Sequence, residues 1–486
     1  MNRQPPSRAV VDPAHRASSL PAKLTSRSPN RRRSIPTVTP GRHLCPSGLA
    51  LSSPDDFSGT GGLLVTRSAG TQPEEPVESA AGTPRDVARF GALEVPVFRN
   101  YFYATIISNI GSWMQILAQG WLILQLTNSP FYLGLVGLVR AVPTIGLSLV
   151  GGVLADRSSR TRILMVTQAG MALSSLVIAL LTVSGLITVW HLLVISFVSS
   201  VFFAVDNPTR QALVPDLVGR DRLTSAIGLN SAAWNAAAII GPSIAGILIA
   251  AVSISGAFFL NAASYIPVLI AVAIIPPLER RAPTSRSMIR QLSEGLGYIR
   301  SDRAIWGILL LIAVPSIAAR PYTQMMPVFA RDILGLGATG FGVLMAASGI
   351  GALAGALITA SLGGFTRRGW LLILVTIALG VSLLAFSQST WIIASIGLVI
   401  VVGGTSTLMM SLANTLLQGI VPDTMRGRVM SVYTLIAGGL MPLGSMILGS
   451  LGELIGVPLA VGLGGVITTI VALVFVRSLD DVRGVR

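Results

Sequence analysis

The chain has 486 residues, 52% of them hydrophobic and 11% charged, and its mean hydropathy of +0.72 exceeds what a water-soluble domain can satisfy by burial. A single cysteine, Cys45, and three scattered histidines (His15, His43, His191) exclude a disulfide framework, a thiolate metal site and metal catalysis. The net charge of +15 would suggest nucleic acid in a soluble protein, but here arginines occupy short loops between apolar runs, where they fix topology, so no nucleic-acid partner is expected.

Residues 1–96 hold 13 of the 28 prolines, many Ser and Arg, and no sustained apolar period. Such a segment cannot bury enough surface to offset its ordering entropy, and a disordered, basic, proline-rich cytoplasmic tail is predicted. It shows no signal-peptide pattern. Arg31, Arg32 and Arg33 could contact anionic lipid, although an inert linker is the simpler reading.

From Tyr101 onward, apolar runs long enough to cross about 30 Å of hydrocarbon succeed one another. The expected spans are 101–125, 131–155, 162–184, 190–211, 223–251, 255–276, 304–329, 338–361, 370–388, 391–416, 426–451 and 457–477. They group into bundles at 97–276 and 304–478, joined by a cytoplasmic linker, 277–303, with 479–486 as a short C-terminal segment. In the linker, Ile289, Leu292, Leu296 and Ile299 recur at helical spacing, which predicts an amphipathic helix on the membrane surface.

Arginines orient the chain. The loops after spans 2, 4, 6, 8 and 10 carry them (Arg157, Arg160, Arg162; Arg220, Arg222; the linker set; Arg367, Arg368; Arg426, Arg428), whereas the opposite loops hold one basic residue, Arg331. The positive-inside rule therefore places both termini in the cytoplasm. Below, these two sides are called the arginine-rich and arginine-poor ends.

An internal repeat with an offset of about 207 relates the bundles: Val214-Pro215-Asp216 to Val421-Pro422-Asp423, and Leu133-Gly134 to Phe341-Gly342. Six spans separate the copies, so both have the same orientation. The fold class expected is an all-α membrane protein of twelve transmembrane helices in two parallel-related six-helix bundles, with a site between them near mid-membrane. Neither a channel built by subunit repetition nor a membrane enzyme explains this arrangement. No Walker loop and no nucleophile–base pair is present, so neither ATP nor another cofactor is expected.

Several residues could serve a transported molecule. Arg140 lies about 13 Å inside span 2, and Arg320 stands at similar depth in span 7; each is closely followed by proline (Pro143, Pro321). Embedded charges face a bundle interior or wet cavity, so these arginines either attract an anionic or carbonyl-rich substrate or serve as snorkelling or gate contacts. Polar stripes run along span 1 (Ser108, Ser112, Gln115, Gln119), span 4 (Ser196, Ser200, Phe203, Asn207), span 7 (Ser316, Arg320, Thr323, Gln324) and span 10 (Thr407, Ser411, Asn414, Gln418). They read as cavity wall or as helix-to-helix glue. Asp206 and Arg210 share a helix face and can pair, as cap or as gate, and Pro208 is expected to break the helix there. No carboxylate falls in the middle of an expected span; Asp156 and Asp206 lie at one end, Asp332 and Glu453 at the other.

The loop Gly152-Val-Leu-Ala-Asp156-Arg157-Ser-Ser-Arg160-Thr-Arg162 resembles the signature loop of the major facilitator superfamily, and the span order matches over 98–478. Asp206-Asn-Pro208-Thr-Arg210, Gly241-Pro242-Ser-Ile-Ala-Gly246 and Asp423-Thr-Met-Arg426-Gly427-Arg428 resemble the branch containing the enterobactin exporter and macrolide efflux pumps. Ser159 replaces a signature glycine, Gly364 stands where the second copy would have its acid, and Gly241-Pro242 matches part of the antiporter motif. The resemblance implies a gating role for Gly152, Asp156, Arg157, Arg160 and Arg162, and singles out Asp423, Arg426 and Arg428 as a second-half loop. It implies helix packing for Gly241, Pro242 and Gly246. A cavity lined by spans 1, 4, 7 and 10 is implied too, with Ser112, Gln115, Gln119, Phe203, Arg320, Gln324, Ser411 and Asn414 as candidates beside Arg140. The implied activity is proton-driven efflux of small amphipathic molecules by a monomer in the inner membrane. Metabolite uptake by the same fold, or a non-transporting receptor, are the alternatives.

Overall fold

The computed structural model describes residues 91–157, 159–276, 296–362 and 367–478, with the side chains of 148–157 and 477–478 outside that description. The expected tail up to residue 90, most of the linker, the C-terminal segment and the side chains of Gly152, Asp156 and Arg157 therefore lie outside the described residues. Among the described residues there are twelve helical spans and no strands. They are α1 (Pro96–Thr127), α2 (Pro130–Arg157), α3 (Arg160–Val183), α4 (Val189–Val218), α5 (Leu223–Ala251) and α6 (Ile254–Ala273) in the first half. The second half comprises α7 (Arg303–Ile333), α8 (Gly337–Ser361), α9 (Arg368–Gln388), α10 (Ile392–Ile420), α11 (Asp423–Ile455) and α12 (Val457–Ser478).

Local chemistry sets these boundaries. Pro96 opens α1 at a position where a missing N–H costs nothing, and Asn128, at φ 51°, closes it by donating its N–H to the Leu124 carbonyl at 2.9 Å. Thr188 and His191 form a reciprocal cap on α4. The carboxylate of Asp302 accepts from the N–H groups of Ala304 (2.9 Å) and Ile305 (3.1 Å) at the start of α7.

Eleven of the twelve are long and apolar enough to cross a membrane. The exception is α1, whose 32 residues include Asn100, Ser108, Asn109, Ser112, Gln115 and Gln119. It is packed against α4, α5 and α6, so protein replaces lipid around those polar groups. Residues 91–94, within the segment expected to be disordered, form a helical turn with Ala92 buried and Glu94 paired with Arg222 at 3.1 Å. Of the expected linker helix, residues 296–301 are described as helical; Ile299 is buried and Leu296 exposed.

Three expectations require correction. Pro208 does not break α4, which continues through Pro208 and Pro215 to Gly219, whose φ of 74° ends it. Polar residues after Asp206 had lowered the apparent hydropathy of a stretch in which Leu213, Val214 and Val218 are buried. α7 is interrupted between Ala318 and Tyr322, and α11 widens into a π turn at Leu435–Gly439. Both interruptions lie inside runs read as continuous from hydropathy.

The repeat reappears as packing. Contacts 1–5, 1–6, 2–4, 3–4 and 3–6 in the first half recur as 7–11, 7–12, 8–10, 9–10 and 9–12 in the second. Across the halves, α2 packs on α11 and α5 on α8. A Cβ on Gly246 would come within 3.1 Å of the Gly342 Cα, and a Cβ on Gly449 within 3.1 Å of the Gly134 Cα. These paired glycines bring helix backbones together at the arginine-poor end. Gly241 instead packs against α1 beside Ile110 and Trp113, while the Pro242 carbonyl faces Gly342.

Polar contacts reinforce that closed end. Arg331 Nη1 donates to the Leu124 carbonyl (3.1 Å) and Asn128 Oδ1 (2.8 Å), its guanidinium held by Asp332. Glu453 accepts from the Ser129 hydroxyl at 2.6 Å, and Trp121 stacks near Phe341. Gly246→Val should lower stability by about 1–3 kcal/mol through overpacking, read as a reduced thermal midpoint in detergent. Gly228→Ala, whose added methyl meets no neighbour within 4 Å, should leave the midpoint unchanged.

Candidate functional site: a polar cavity in the first half

A cavity of about 490 Å³ lies among the six helices of the first half. Its wall on α1 is Tyr101, Thr105, Asn109, Ser112 and Gln115, residues that recur every three or four positions and so share one face. α4 supplies Ser200, Phe203, Asp206, Asn207 and Arg210; α5 gives Asn230 and Trp234, α6 Asn261 and Tyr265, and α2 Arg140. Phe203 and Trp234 line it and are exposed.

Asp206 is the electrostatic centre of one wall. The longer α4 puts it about 18 Å inside the arginine-rich end of that helix, so the structure supplies the embedded carboxylate that the expected span boundaries had excluded. It is 2% exposed. Its Oδ1 accepts from the Thr167 hydroxyl at 2.8 Å and from Gln168 Nε2 at 2.6 Å, and its Oδ2 from Arg210 Nε at 2.6 Å. Three donors from two helices offset the cost of burying the charge. The pair is thus a tie between α3 and α4 rather than a helix-end cap, with Tyr101 beside both charges.

Other polar groups are tied too. Asn261, fully buried, donates to Gln115 Oε1 and to the Ser175 hydroxyl at 3.3 Å, joining α6 to α1 and α3. The Ser112 and Tyr265 hydroxyls lie 3.4 Å apart. Arg140, by contrast, has no carboxylate partner among the described residues.

The structure thus brings together Ser112, Gln115, Arg140 and Phe203 with Asp206 and Arg210. It does not bring Gln119, Arg320, Gln324, Ser411 or Asn414 to this cavity. Gln119 is buried and bonded to Ser196; Arg320 Nη1 donates to the Ala437 carbonyl, in the π turn of α11, at 2.6 Å. Gln324 lies by α2 near Gly137, and Asn414 accepts from Gln418 one turn away. Among residues of the signature loop, Arg160 pairs with Asp216 of α4 and donates to the Ala212 carbonyl at 3.1 Å, while Arg162 is exposed. In the second-half loop Arg426 pairs with Asp423 at 2.6 Å, and Arg428 Nη1 lies 2.9 Å from the Met425 sulfur.

Sequence reading missed Tyr101, Thr105, Asn109, Asn230, Trp234, Asn261 and Tyr265. Tyr101, Thr105 and Asn109 continue the α1 stripe toward the arginine-rich end. Asn230 and Asn261 are isolated amides in apolar spans, a pattern shared with residues that merely hold helices together.

Twelve spans in two related bundles, the first enclosing a polar, partly aromatic cavity, define a multi-pass membrane transporter, not an enzyme. A family model described as transmembrane secretion effector matches residues 87–481, and the chain belongs to that family of the major facilitator superfamily. It is 25% identical to the staphyloferrin A transporter of Staphylococcus aureus, over 77% of this chain and 94% of that protein. It is 27% identical to the enterobactin exporter EntS of Citrobacter koseri, over 80% and 94%. Among solved structures, the fold resembles a bacterial homologue of the iron transporter ferroportin in its inward-facing state, with a TM-score of 0.59, 16% identity, and 79% and 98% of the two chains covered. A bacterial homologue of the human lysosomal transporter Spinster, inward-facing and unoccupied, gives a TM-score of 0.61 at 13% identity, covering 78% and 94%.

Asp206→Leu should cost about 3–5 kcal/mol by leaving Arg210 buried without its partner. The double substitution Asp206→Leu, Arg210→Met should recover most of that loss. Thermal unfolding of all four members of the cycle checks the coupling.

Proposed function

We propose that the protein is a secondary active exporter that moves a small amphipathic, siderophore-like molecule outward by alternating access, driven by proton entry. The observation that carries this reading is the combination of two halves joined at the arginine-poor end with a polar cavity extending toward the other. Such a state takes cargo from the arginine-rich side, which the positive-inside rule assigns to the cytoplasm. The names of the relatives support outward transport and a siderophore-like cargo, and the loop resemblance supports proton coupling.

On this reading residues 97–276 and 304–478 rock as two bodies in the inner membrane, both termini cytoplasmic, in a monomer. Gly152, Asp156, Arg157, Arg160 and Arg162, with Asp423, Arg426 and Arg428, form the arginine-rich gate, which closes as the arginine-poor end opens. Gly134, Gly246, Gly342 and Gly449 then separate.

The test uses inverted vesicles acidified inside, supplied with a panel of siderophores and amphipathic drugs. The expected result is uptake of at least one compound coupled to loss of the proton gradient, reduced at least tenfold by Trp234→Ala. Uptake without proton movement would remove the proton from this account. No uptake of any compound by correctly inserted protein would overturn export itself.

A further inference from the structure

The charges of the cavity do not balance. Three ionic side chains line it: Arg140, Arg210 and Asp206. Asp206 is fully engaged, with Oδ1 receiving Thr167 and Gln168 and Oδ2 receiving Arg210, so Arg210 is neutralised within its own helix. Arg140 is left over. Among the described residues no carboxylate pairs with it; Tyr265 is the titratable group nearest in influence, and it is a neutral phenol. Asp156, on the same helix, stands about 24 Å further along and cannot reach it. A lone guanidinium inside a membrane-spanning bundle is costly, and it persists where a ligand or water completes it.

Further donors face the same space. Thr105 lines the cavity as a buried residue, with its hydroxyl beside the Tyr101 phenol. The side chains of Asn109 and Asn230 also line it, and their amides make no side-chain hydrogen bond among the described residues. The apolar complement is the aromatic pair Phe203 and Trp234, with Trp234 beside Trp113 at 5.6 Å between centroids. Free cation, free donors and aromatic wall together describe a receptor for a molecule carrying negative charge, acceptor oxygens and a flat ring.

We propose that the cavity is selective for organic anions, and that Arg140 is the residue receiving the acidic oxygens of the cargo while Phe203 and Trp234 hold its ring. This rests on the reading of the cavity as the cargo site and adds the sign of the cargo's charge, which excludes the cationic drugs that a bundle with an unpaired embedded carboxylate would favour. Arg210 does not take this role, because Asp206 already occupies its Nε.

The full chain in lipid nanodiscs would be titrated with two probes of the same ring and opposite charge, naphthalene-1-acetate and 1-naphthylmethylammonium. The acetate should bind at least tenfold more tightly. Arg140→Gln should weaken the acetate by roughly 10- to 100-fold and leave the ammonium unchanged or improved, while Arg140→Lys should retain part of the acetate affinity. Equal affinity for the two probes, an unaltered acetate affinity in Arg140→Gln, or no binding of the acetate by folded protein would each overturn the proposal. Should Arg140→Gln not fold, the preference of the unmodified chain between the probes decides. The two readings fail separately: acetate binding without vesicle transport would sink export and keep anion selection, whereas transport of the ammonium but not the acetate would do the reverse.

Discussion

Backbone contact between glycines at one end of the bundle is the constraint from which the rest of this structure follows. In a bilayer there is little hydrophobic force to draw helices together, so the halves hold where their backbones approach closely enough for dispersion and polar contacts to accumulate. Gly134 with Gly449, and Gly246 with Gly342, provide that approach between α2 and α11 and between α5 and α8. Both contacts sit at the arginine-poor end. Arg331 and Glu453 add cross-half hydrogen bonds there: Arg331 to the Leu124 carbonyl, which Asn128 also caps, and Glu453 to the Ser129 hydroxyl and to the Phe131 N–H, which the first turn of α2 leaves unsatisfied. The cavity accordingly extends the other way.

The two halves repeat in packing but not in chemistry. The first half surrounds its cavity with a carboxylate, two arginines and a set of amides. In the second, the embedded Arg320 is spent on the Ala437 carbonyl of a π turn, and Asn414 is bonded along its own helix. Within the first half, tied and untied groups are separated too. Asp206, Gln115 and Asn261 bind helix to helix, while Arg140, Asn109 and Asn230 line the cavity without such ties among the described residues.

The number of helices, their parallel repeat and the arginine asymmetry were legible in the sequence because they depend on hydropathy summed over many residues, where single errors cancel. The ends were less so. Pro208 reads as a stop, yet α4 runs on through it, because proline keeps a helical φ and a membrane bundle tolerates the loss of one ladder bond. That one misreading moved Asp206 from the interior to the rim and hid the embedded carboxylate. Glycines 134 and 342 could be recognised as a repeat; that each meets a glycine of the other half is a tertiary fact with no local signal. The lining of this cavity was singled out in part, on α1 and α4 by polar spacing and on α2 by the one embedded charge, Arg140. It was missed on α5 and α6, where one amide among apolar residues looks the same whether it faces a cavity or a neighbouring helix.

The central claim is that closure at one end and opening at the other exchange during transport. Distances between paired spin labels test it most directly, in a Cys45→Ser background with Leu186→Cys and Trp391→Cys at the arginine-poor end, and Arg220→Cys and Asp423→Cys at the arginine-rich end. All four sites are exposed, and each pair spans the two halves. The account predicts that adding cargo under a proton gradient populates a second state in which the first distance lengthens and the second shortens together. Distances that stay fixed during measured transport, or that lengthen at both ends at once, would contradict it.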